Sequence, residues 1–364
     1  RDAHESWAMR YAAYQQAHPQ PAAELDRRLR GVLPPDWDAD IPVFTADNGN
    51  VASRAASGIV LNAIAARVPE LIGGSADLTP SNNTSLAGIR NYDPGDRAGR
   101  YLHFGIREHG MGAILNGMSV HGGLIPFGGT FLIFSDYMRP PIRLAALMRR
   151  RSIYVYTHDS VGLGEDGPTH QPIEQLAGLR CVPNNTVVRP ADANEAAEAW
   201  RLAMTHPDGP VALVLSRQKL PLIDRTKYGS ASGVARGAYV LADAPGGAPQ
   251  VILLSSGSEV SIILDAQTQL AAAGIRARTV SCPSLEVFAR QSEEYRTSVL
   301  TPATPRVAIE AAHPMSWYQW VGTNGTVIGL DHFGASSPYQ RIYQEFGLTA
   351  AHVIDAVRAL LAKR

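Results

Sequence analysis

The stretch Tyr156-Thr-His-Asp-Ser-Val-Gly-Leu-Gly-Glu-Asp-Gly-Pro-Thr-His-Gln-Pro172 directly continues the apolar run Ser152-Ile-Tyr-Val-Tyr156. The apolar run predicts a buried strand, and the glycine-punctuated stretch predicts a polar loop at the carboxyl end of that strand. Open α/β sheets bind small molecules at this edge. The loop carries more ionisable side chains than a simple connection needs, namely His158, Asp159, Glu165, Asp166 and His170. We therefore predict that it binds a polar small molecule.

Strand and helix patterns alternate on both sides of this loop. In the first part of the chain, strand patterns cover residues 70–74, 100–105, 124–127, 152–156 and 211–215, and helical patterns cover 51–68, 108–120 and 195–205. In the second part, strand patterns cover 251–254, 276–281, 306–310 and 326–330, and helical patterns cover 259–273 and 350–362. Repeated strand–helix units form parallel sheets covered by helices. The predicted fold class is α/β, with two consecutive open, mainly parallel sheets and helices on both faces.

Changes in composition divide the chain into three parts. Residues 1–40 have a polar helical pattern interrupted by prolines, which predicts a linker or the tail of a preceding domain. A polar stretch rich in glycine and serine at 227–233 predicts a boundary between domains. We therefore expect one domain over residues 41–228 and a second over 229–364.

Composition excludes several classes of protein. Lys+Arg and Asp+Glu number 33 each among the 364 residues, so the basic excess typical of a nucleic-acid binder is missing. No apolar run approaches the length that spans a bilayer, and no signal-peptide pattern opens the sequence. Cys181 and Cys282 lie far apart, which argues against a disulfide framework or a zinc knuckle. We expect a cytoplasmic protein without a membrane or nucleic-acid partner.

The turn Ser256-Gly-Ser-Glu259 opens one helical pattern of the second part. A helix start of this kind can bind an anion. A tight strand-to-helix turn capped by serine is the more common arrangement, and we favour it here.

Two histidines and a carboxylate of the loop, His158, Asp166 and His170, admit an interpretation as metal ligands. Their spacing differs from the i, i+4 histidine pairs of zinc sites carried on helices. We therefore predict no metal bound by these residues.

Five ordered blocks give the chain a resemblance to the carboxyl-terminal half of transketolases, the thiamine diphosphate enzymes of sugar phosphate metabolism. The blocks are Gly73-Gly-Ser-Ala-Asp-Leu-Thr-Pro-Ser-Asn82, His103-Phe-Gly-Ile-Arg-Glu-His-Gly-Met111, Pro126-Phe-Gly-Gly-Thr-Phe131, Tyr156–Pro172 and Leu215-Ser-Arg-Gln218. The resemblance extends through the last helical pattern. It implies a pyrimidine-binding domain over 41–228, a transketolase carboxyl-terminal domain over 229–364, and transfer of a two-carbon ketol unit from a ketose phosphate to an aldose phosphate in the pentose phosphate pathway.

Glu108 begins a helical pattern, where a carboxylate ordinarily complements the helix dipole. The resemblance implies a catalytic role instead: a carboxyl group held against the pyrimidine ring nitrogen of the cofactor favours the imino form, which can act as a base. The aromatic residues Phe131, Phe134 and Tyr137 recur every third position, a pattern usually found in a core. By resemblance they line the pyrimidine pocket, with Phe134 the firmest contact.

The resemblance also assigns residues to the cofactor surroundings and to the sugar phosphate. It places Asp77 and Leu78 near the cofactor or the subunit contact. It implies that His158 and Asp166 meet sugar hydroxyl groups and that His170 lies by the phosphate or assists proton transfer. The phosphate would be bound by Arg54, Ser81 and Arg217, because guanidinium groups and small hydroxyls suit a doubly charged anion.

One part of the family pattern is missing from this sequence. The family holds Mg²⁺ and the diphosphate with a Gly-Asp-Gly motif followed by Asn, and no Gly-Asp-Gly occurs in the 364 residues. We therefore expect thiamine diphosphate and Mg²⁺ in the complete enzyme but neither on this chain alone, which we expect to be inactive. Either a diphosphate-binding domain precedes Arg1 in the same chain, which the non-Met first residue favours, or a separate subunit supplies it. The resemblance further implies a homodimer with the site between subunits.

Two alternatives remain open. A related thiamine diphosphate enzyme, such as a deoxyxylulose phosphate synthase or a phosphoketolase, has the same fold but a different reaction. The close resemblance of the Tyr156–Pro172 residues to the transketolase loop argues against it. A dimerising module without catalysis is the second alternative. The joint presence of Glu108, His158, Asp166, His170 and Arg217 argues against that loss of function.

Overall fold

The computed structural model describes residues 1–206 and 208–363. The described residues contain the strands β1 (Val51–Ala52), β2 (Leu71–Ser75), β3 (Tyr101–His103), β4 (Ile125–Phe131), β5 (Ile153–Thr157), β6 (Thr186–Val188), β7 (Val211–Leu215), β8 (Lys219–Leu220), β9 (Tyr239–Ala242), β10 (Val251–Ser255), β11 (Ala277–Ser281), β12 (Arg306–Ile309) and β13 (Thr326–Ile328). Pro207, and Arg364 at the end of the expected second domain, lie outside the described residues.

α-Helices lie between most of the consecutive strands. They are α1 (Asp2–Ala17), α2 (Pro19–Leu29), α3 (Ser53–Arg67), α4 (Thr79–Asn82), α5 (Glu108–His121), α6 (Arg139–Leu147), α7 (Gln175–Arg180), α8 (Ala193–Thr205), α9 (Val260–Ala272), α10 (Leu285–Ala289), α11 (Glu293–Val299), α12 (Tyr318–Val321), α13 (Tyr339–Glu345) and α14 (Ala350–Ala362). Short 3₁₀ segments lie at Ala46–Asn48, Leu132–Met138, Val161–Leu163, Ala231–Arg236, Gly257–Glu259 and Pro314–Trp317.

The first sheet contains six strands in the order β3-β2-β4-β5-β7-β6, all parallel. Its core lies on both faces. Trp200 of α8 and Ile64 of α3 are buried on one face, and Met111 and Leu115 of α5 are buried on the other. The carboxyl ends of β2, β4, β5 and β7 therefore meet at one edge of the sheet, as the repeated strand–helix pattern predicts.

The second sheet contains five strands in the order β13-β12-β10-β11-β9. Four strands are parallel, and β9 pairs antiparallel with β11 at the edge. Ile263 of α9 and Val353 of α14 pack on one face, and Phe288 and Trp317 pack on the other. The prediction of an α/β fold with two mainly parallel sheets is confirmed.

Some predicted elements differ from the observed ones. The strand pattern at 124–127 extends to Phe131, because Gly128 and Gly129 continue the ladder opposite Tyr154 and Val155 instead of ending it. A Cβ at Gly128 would meet the side chains of Leu115 and Met111, so the close packing of α5 on the sheet requires glycine there. The antiparallel strand β9 has no counterpart in the predicted pattern.

The prediction for Ser256–Glu259 is correct for the tight strand-to-helix turn, which lies between β10 and α9, and wrong for the serine cap. No side-chain hydrogen bond of Ser256 caps this turn. Its hydroxyl donates instead to the buried carboxylate of Glu310, because the turn lies inside the molecule against a cluster of charged groups.

No helix within residues 1–206 and 208–363 is both long enough and apolar enough to cross a bilayer.

The glycine pair of β2 allows the neighbouring strands to approach closely. A Cβ on Gly74 would collide with the backbone carbonyl of Leu102 in β3. Replacing Gly74 by Ala should therefore destabilise the protein by about 1–3 kcal/mol, the usual cost of overpacking. Gly117 is the matched control, because it is exposed in the middle of α5 and an added methyl group would have no neighbouring atom within 4 Å. Gly117→Ala should stabilise by up to about 1 kcal/mol. Urea unfolding of both variants checks this, and equal stability of the two would contradict it.

Candidate active site

Three aromatic rings form a row that begins at the end of β4. The 3₁₀ segment Leu132–Met138 follows Phe131 at once, and its three residues per turn place residues three apart on the same face. The centroids of Phe131 and Phe134 lie 5.8 Å apart, and those of Phe134 and Tyr137 lie 5.9 Å apart. Exposure rises along the row, from 7% for Phe131 to 65% for Tyr137. The row therefore offers an apolar aromatic wall at its open end.

Both loop histidines pack on this row. The imidazole of His158 stacks on Phe131 with 3.6 Å between ring centroids. His170 meets Phe131 and Phe134 edge-on, at 6.0 Å and 5.7 Å. Phe131 is thus covered by His158, whereas Phe134 and Tyr137 keep more exposed surface. These five side chains therefore lie together beside the carboxyl end of β4.

A chain of hydrogen bonds orients the imidazole of His158. Ser75 Oγ lies 2.7 Å from Asn82 Oδ1, which can only accept, so the amide nitrogen of Asn82 donates to Thr157 Oγ1 at 2.7 Å. The Thr157 hydroxyl can then donate to His158 Nδ1 at 2.9 Å. This arrangement leaves the proton of a neutral imidazole on Nε2, which lies 4.0 Å from Asp166 Oδ2.

The backbone of His158 is also unusual. Its φ is +61°, a left-handed conformation that costs free energy in a residue with a side chain. His158 is almost fully buried, and burial lowers its pKa to about 3, with further lowering by the charges of Arg54, Arg217 and His170. The site therefore presents a neutral imidazole held in one orientation.

Two arginines give the site an excess of positive charge. Arg217 Nε lies 4.0 Å from Asp166 Oδ2, and Arg54 donates to the backbone carbonyl of Ser81 at 2.8 Å. Burial lowers the pKa of Arg54, and repulsion from Arg217 lowers it further, while Asp166 opposes the shift. One partly exposed carboxylate faces two guanidinium groups, so an anion would be bound favourably between them.

Glu108 lies at the first position of α5 and is buried, with 7% of its surface exposed. Thr130 of β4 donates to its Oε1 at 3.1 Å, and Thr130 is the residue before Phe131. The second carboxylate oxygen accepts no hydrogen bond from any described residue, so it remains available to a ligand beside the aromatic row.

Asp77, Leu78 and Ser81 are less closely connected to the aromatic row and the histidines than the other predicted site residues. Asp77 is exposed with a φ of +62°, and Leu78 is half-buried. They follow β2 at the same edge of the sheet, but among residues 1–206 and 208–363 neither makes a hydrogen bond or ring contact with the aromatic row or the histidines. Ser81 meets Arg54 through its carbonyl oxygen.

Four hydrogen-bonding residues escaped the sequence-based selection: Ser75, Asn82, Thr130 and Thr157. All four are fully buried polar residues at or next to the ends of elements. Each of them lies inside one of the blocks that resemble transketolases, such as Gly73–Asn82 and Pro126–Phe131. That position was the signal by which the sequence could have identified them. In the part of the chain that the structure describes, no group of three or more His, Cys, Asp or Glu side chains could hold a metal ion.

Two family models match the chain in sequence order. The transketolase pyrimidine-binding domain matches residues 49–222, and the transketolase-like carboxyl-terminal domain matches residues 237–349. The chain belongs to the transketolase family. The resemblance found in the five sequence blocks is thereby confirmed.

Curated relatives named transketolase agree with this. That of Geobacillus stearothermophilus is 51% identical over 358 residues, covering 98% of this chain and 53% of the relative. That of Mycobacterium tuberculosis strain H37Rv is 50% identical over 377 residues, covering 99% of this chain and 53% of the relative. The chain therefore spans about half the length of the curated relatives it matches.

Solved structures show the same relation. The transketolase from Leishmania mexicana superposes with a TM-score of 0.92 at 41% identity, covering 99% of this chain and 52% of that one. A Pichia stipitis transketolase complexed with sedoheptulose 7-phosphate gives 0.93 at 41% identity, covering 99% and 53%. A split-gene transketolase described as an inactive β4 tetramer gives 0.69 at 25% identity, covering 86% of this chain and 99% of that one.

We expect His158 to remain neutral, with its proton on Nε2, throughout the pH range in which the protein is folded. Its pKa of about 3 in the folded protein lies below the ordinary value of 6.5, so the unfolded chain takes up this proton first. Its contribution to stability is therefore lost as pH falls from about 6.5 toward 3. Nitrogen NMR of ¹⁵N-histidine-labelled protein checks this, with His158→Asn identifying the signal. An imidazolium signal for His158 at pH 6 would contradict the assignment.

Proposed function

We propose that the protein to which this sequence belongs is a thiamine diphosphate-dependent transketolase. It would transfer a two-carbon ketol unit from a ketose phosphate to an aldose phosphate in the pentose phosphate pathway of the cytoplasm. The observation that carries the proposal is the meeting, at one sheet edge, of a buried carboxylate, an aromatic wall, two imidazoles and two guanidinium groups. The sequence would contribute a pyrimidine-binding domain over 41–228 and a carboxyl-terminal domain over 229–364.

The residues present fit the pyrimidine end of the cofactor. An exposed aromatic wall suits a flat heteroaromatic ring, since stacking adds about 0.5–1.5 kcal/mol beyond burial. When bound, thiamine diphosphate supplies a carbon nucleophile that attacks the ketose carbonyl. Glu108 would hold the proton on the pyrimidine ring nitrogen through its unoccupied oxygen, while Thr130 keeps the carboxylate in place. Phe134 and Tyr137 would contact the ring, with Phe131 behind them, and Asp77 and Leu78 would border the cofactor or the subunit contact.

The sugar phosphate would lie along the loop. His158, held neutral, would donate from Nε2 to a sugar hydroxyl, and Asp166 would accept from another. His170 would lie by the phosphate or assist proton transfer. The phosphate would pair with Arg54 and Arg217, beside Ser81, where the net positive charge is uncompensated.

We place the diphosphate and its Mg²⁺ on a domain that this sequence does not contain, because no Gly-Asp-Gly occurs in the 364 residues. A divalent ion on a diphosphate requires oxygen ligands of its own. That domain would either precede residue 1 in the same chain or form a separate subunit, and the site would lie between the subunits of a dimer. The split-gene neighbour supports the second form only in part, given its lower TM-score of 0.69.

The 364-residue chain produced alone should show no ketol transfer above background, because it lacks an anchor for the diphosphate. Calorimetry should likewise detect no tight binding of thiamine diphosphate with Mg²⁺. The complete enzyme, assayed in parallel, is the control. Turnover by the chain alone at a rate comparable with the complete enzyme would refute the expectation.

In the complete enzyme, Glu108→Gln should reduce kcat by roughly 10²- to 10⁴-fold, the usual contribution of a positioned acid–base group. Substrate should still bind, because Glu108 contacts the cofactor region and lies outside the phosphate cluster. Glu294→Gln, an exposed carboxylate of α11, is the matched control and should leave the rate unchanged. Unchanged turnover of Glu108→Gln would remove Glu108 from the mechanism.

Products distinguish the reaction from those of related enzymes. With xylulose and ribose phosphates the complete enzyme should form a seven-carbon ketose phosphate and a three-carbon aldose phosphate, as a two-carbon transfer requires. An acyl phosphate product would indicate a phosphoketolase instead, and failure to bind thiamine diphosphate would indicate a module without catalysis.

A further inference from the structure

The loop of residues 157–172, here called the sugar loop, has little regular structure beyond one short 3₁₀ segment, yet residues 157–164 are all buried. An irregular loop that carries binding residues usually lies on the surface. Here the second sheet unit, residues 229–363, covers it. Three separate groups of contacts join the two.

The first contact is a buried ion cluster around Arg189. Arg189 is fully buried, and its Nε donates to Asp159 Oδ2 at 2.9 Å. Its remaining nitrogens donate to the turn before α9: to the carboxylate of Glu259, to the carbonyl of Ser256 at 2.9 Å, and to Ser258 Oγ at 3.1 Å. Asp159 is the residue after His158, so the cluster holds the chain next to the left-handed backbone of His158.

The second and third contacts lie further along the sugar loop. Ser336 Oγ donates to the carbonyl of Glu165 at 2.6 Å, next to Asp166. Gln171 Nε2 donates to the carbonyl of Ala335 at 2.9 Å, next to His170. Each of the three binding residues is therefore adjacent in sequence to a residue tied to the second unit, directly for Glu165 and Gln171 and through Arg189 for Asp159.

The charges of the cluster show why its geometry is specific. Burial raises the pKa of Asp159, an effect that Arg189 opposes. Burial alone would also raise the pKa of Glu310, but Arg180 and Arg189 outweigh it and lower that pKa to about 2. Buried charges tolerate little displacement, because each must keep its partner to offset lost hydration. A loop tied to such a cluster cannot shift without breaking it.

We propose that the second unit acts as a clamp on the sugar loop and that Asp159, Arg189 and Ser336 are positioning residues for sugar phosphate binding. The clamp keeps His158 in its left-handed backbone conformation over Phe131 and holds Asp166 toward Arg217. The proposal rests on the function proposed above, and it gives the carboxyl-terminal domain a defined task in the reaction.

The test uses the complete enzyme and a pair of variants at an exposed position. Ser336→Ala removes one hydrogen bond to the loop, whereas Ser336→Thr keeps the hydroxyl. Ser336→Ala should raise the KM for the ketose phosphate by roughly 2- to 10-fold, the effect of one neutral hydrogen bond, with kcat and thiamine diphosphate affinity unchanged. Ser336→Thr should behave as the unmodified enzyme. Equal KM values for both variants and the unmodified enzyme would overturn the clamp.

A second pair separates positioning from simple joining of the two units. Asp159→Asn weakens the tie to the sugar loop, whereas Tyr239→Phe removes the hydrogen bond from the Tyr239 hydroxyl to Glu195, which joins β9 to α8 and involves neither the loop nor Arg189. Asp159→Asn should raise KM by roughly 10- to 100-fold, as expected for a charged hydrogen bond, and Tyr239→Phe should lower the melting temperature with little change in KM. The same rise in KM for both variants would show that the cluster only joins the two units, and it would overturn the positioning role.

A measurement independent of turnover keeps the outcome clear. In Asp159→Asn the ¹⁵N signals of His158 should shift or broaden, and in Tyr239→Phe they should not. Unchanged His158 signals in a folded Asp159→Asn variant would refute the clamp even if the enzyme is active. If the unmodified enzyme itself does not turn over ketose phosphates, the proposed function is refuted instead. If Asp159→Asn does not fold, the Ser336 pair alone decides.

Discussion

The parallel pairing of β4 with β5 is the constraint on which the site depends. Its register places Phe131 opposite Thr157, the last residues of the two strands. Because of that pairing, the next residue, His158, lies over the Phe131 ring, and the preceding residue of β4, Thr130, reaches Glu108 on α5. A shift by one residue would turn every side chain of a strand to the other face and would separate all these groups.

Electrostatics then distinguishes the two ends of the site. Around Glu108 a single buried carboxylate is satisfied on one oxygen only, so it favours a proton-bearing ring nitrogen. Around Arg54 and Arg217 the positive charges outnumber the carboxylate of Asp166, so that end favours an anion. The two histidines lie between these two ends, and burial keeps His158 neutral. His158 therefore adds no third positive charge, and its Nε2 can donate to an uncharged hydroxyl. The proposed sugar phosphate and heteroaromatic cofactor would match these two ends.

None of the site residues named above belongs to the second unit, but that unit limits the movement of the sugar loop, which carries three of them. Arg189 is the central residue, because it follows β6 of the first sheet and still bonds to the turn before α9 of the second unit. Tyr343 donates to Glu259 at 2.7 Å and extends the same network to α13. The turn before α9 and α13 are thereby joined to the first sheet through one network of buried charges and hydrogen bonds.

The sequence by itself determined the mainly parallel character of both sheets and the strands and helices with the strongest apolar patterns, whereas the antiparallel strand β9 went unpredicted. Periodic apolar patterns suffice for this, and β7 at Val211–Leu215 and α14 at Ala350–Ala362 match the predicted ranges residue for residue. The family blocks added the predicted roles of Glu108 and the loop residues, which remain proposals. Only the tertiary structure decided the partners of buried polar groups. Asn82 reaches Thr157 across a separation of 75 positions, and Asp159 meets Arg189 across 30. Hydrogen bonds and ion pairs act over a few ångströms in space and leave no periodic trace along the chain, so the arrangement that orients His158 emerges only when the strands are assembled.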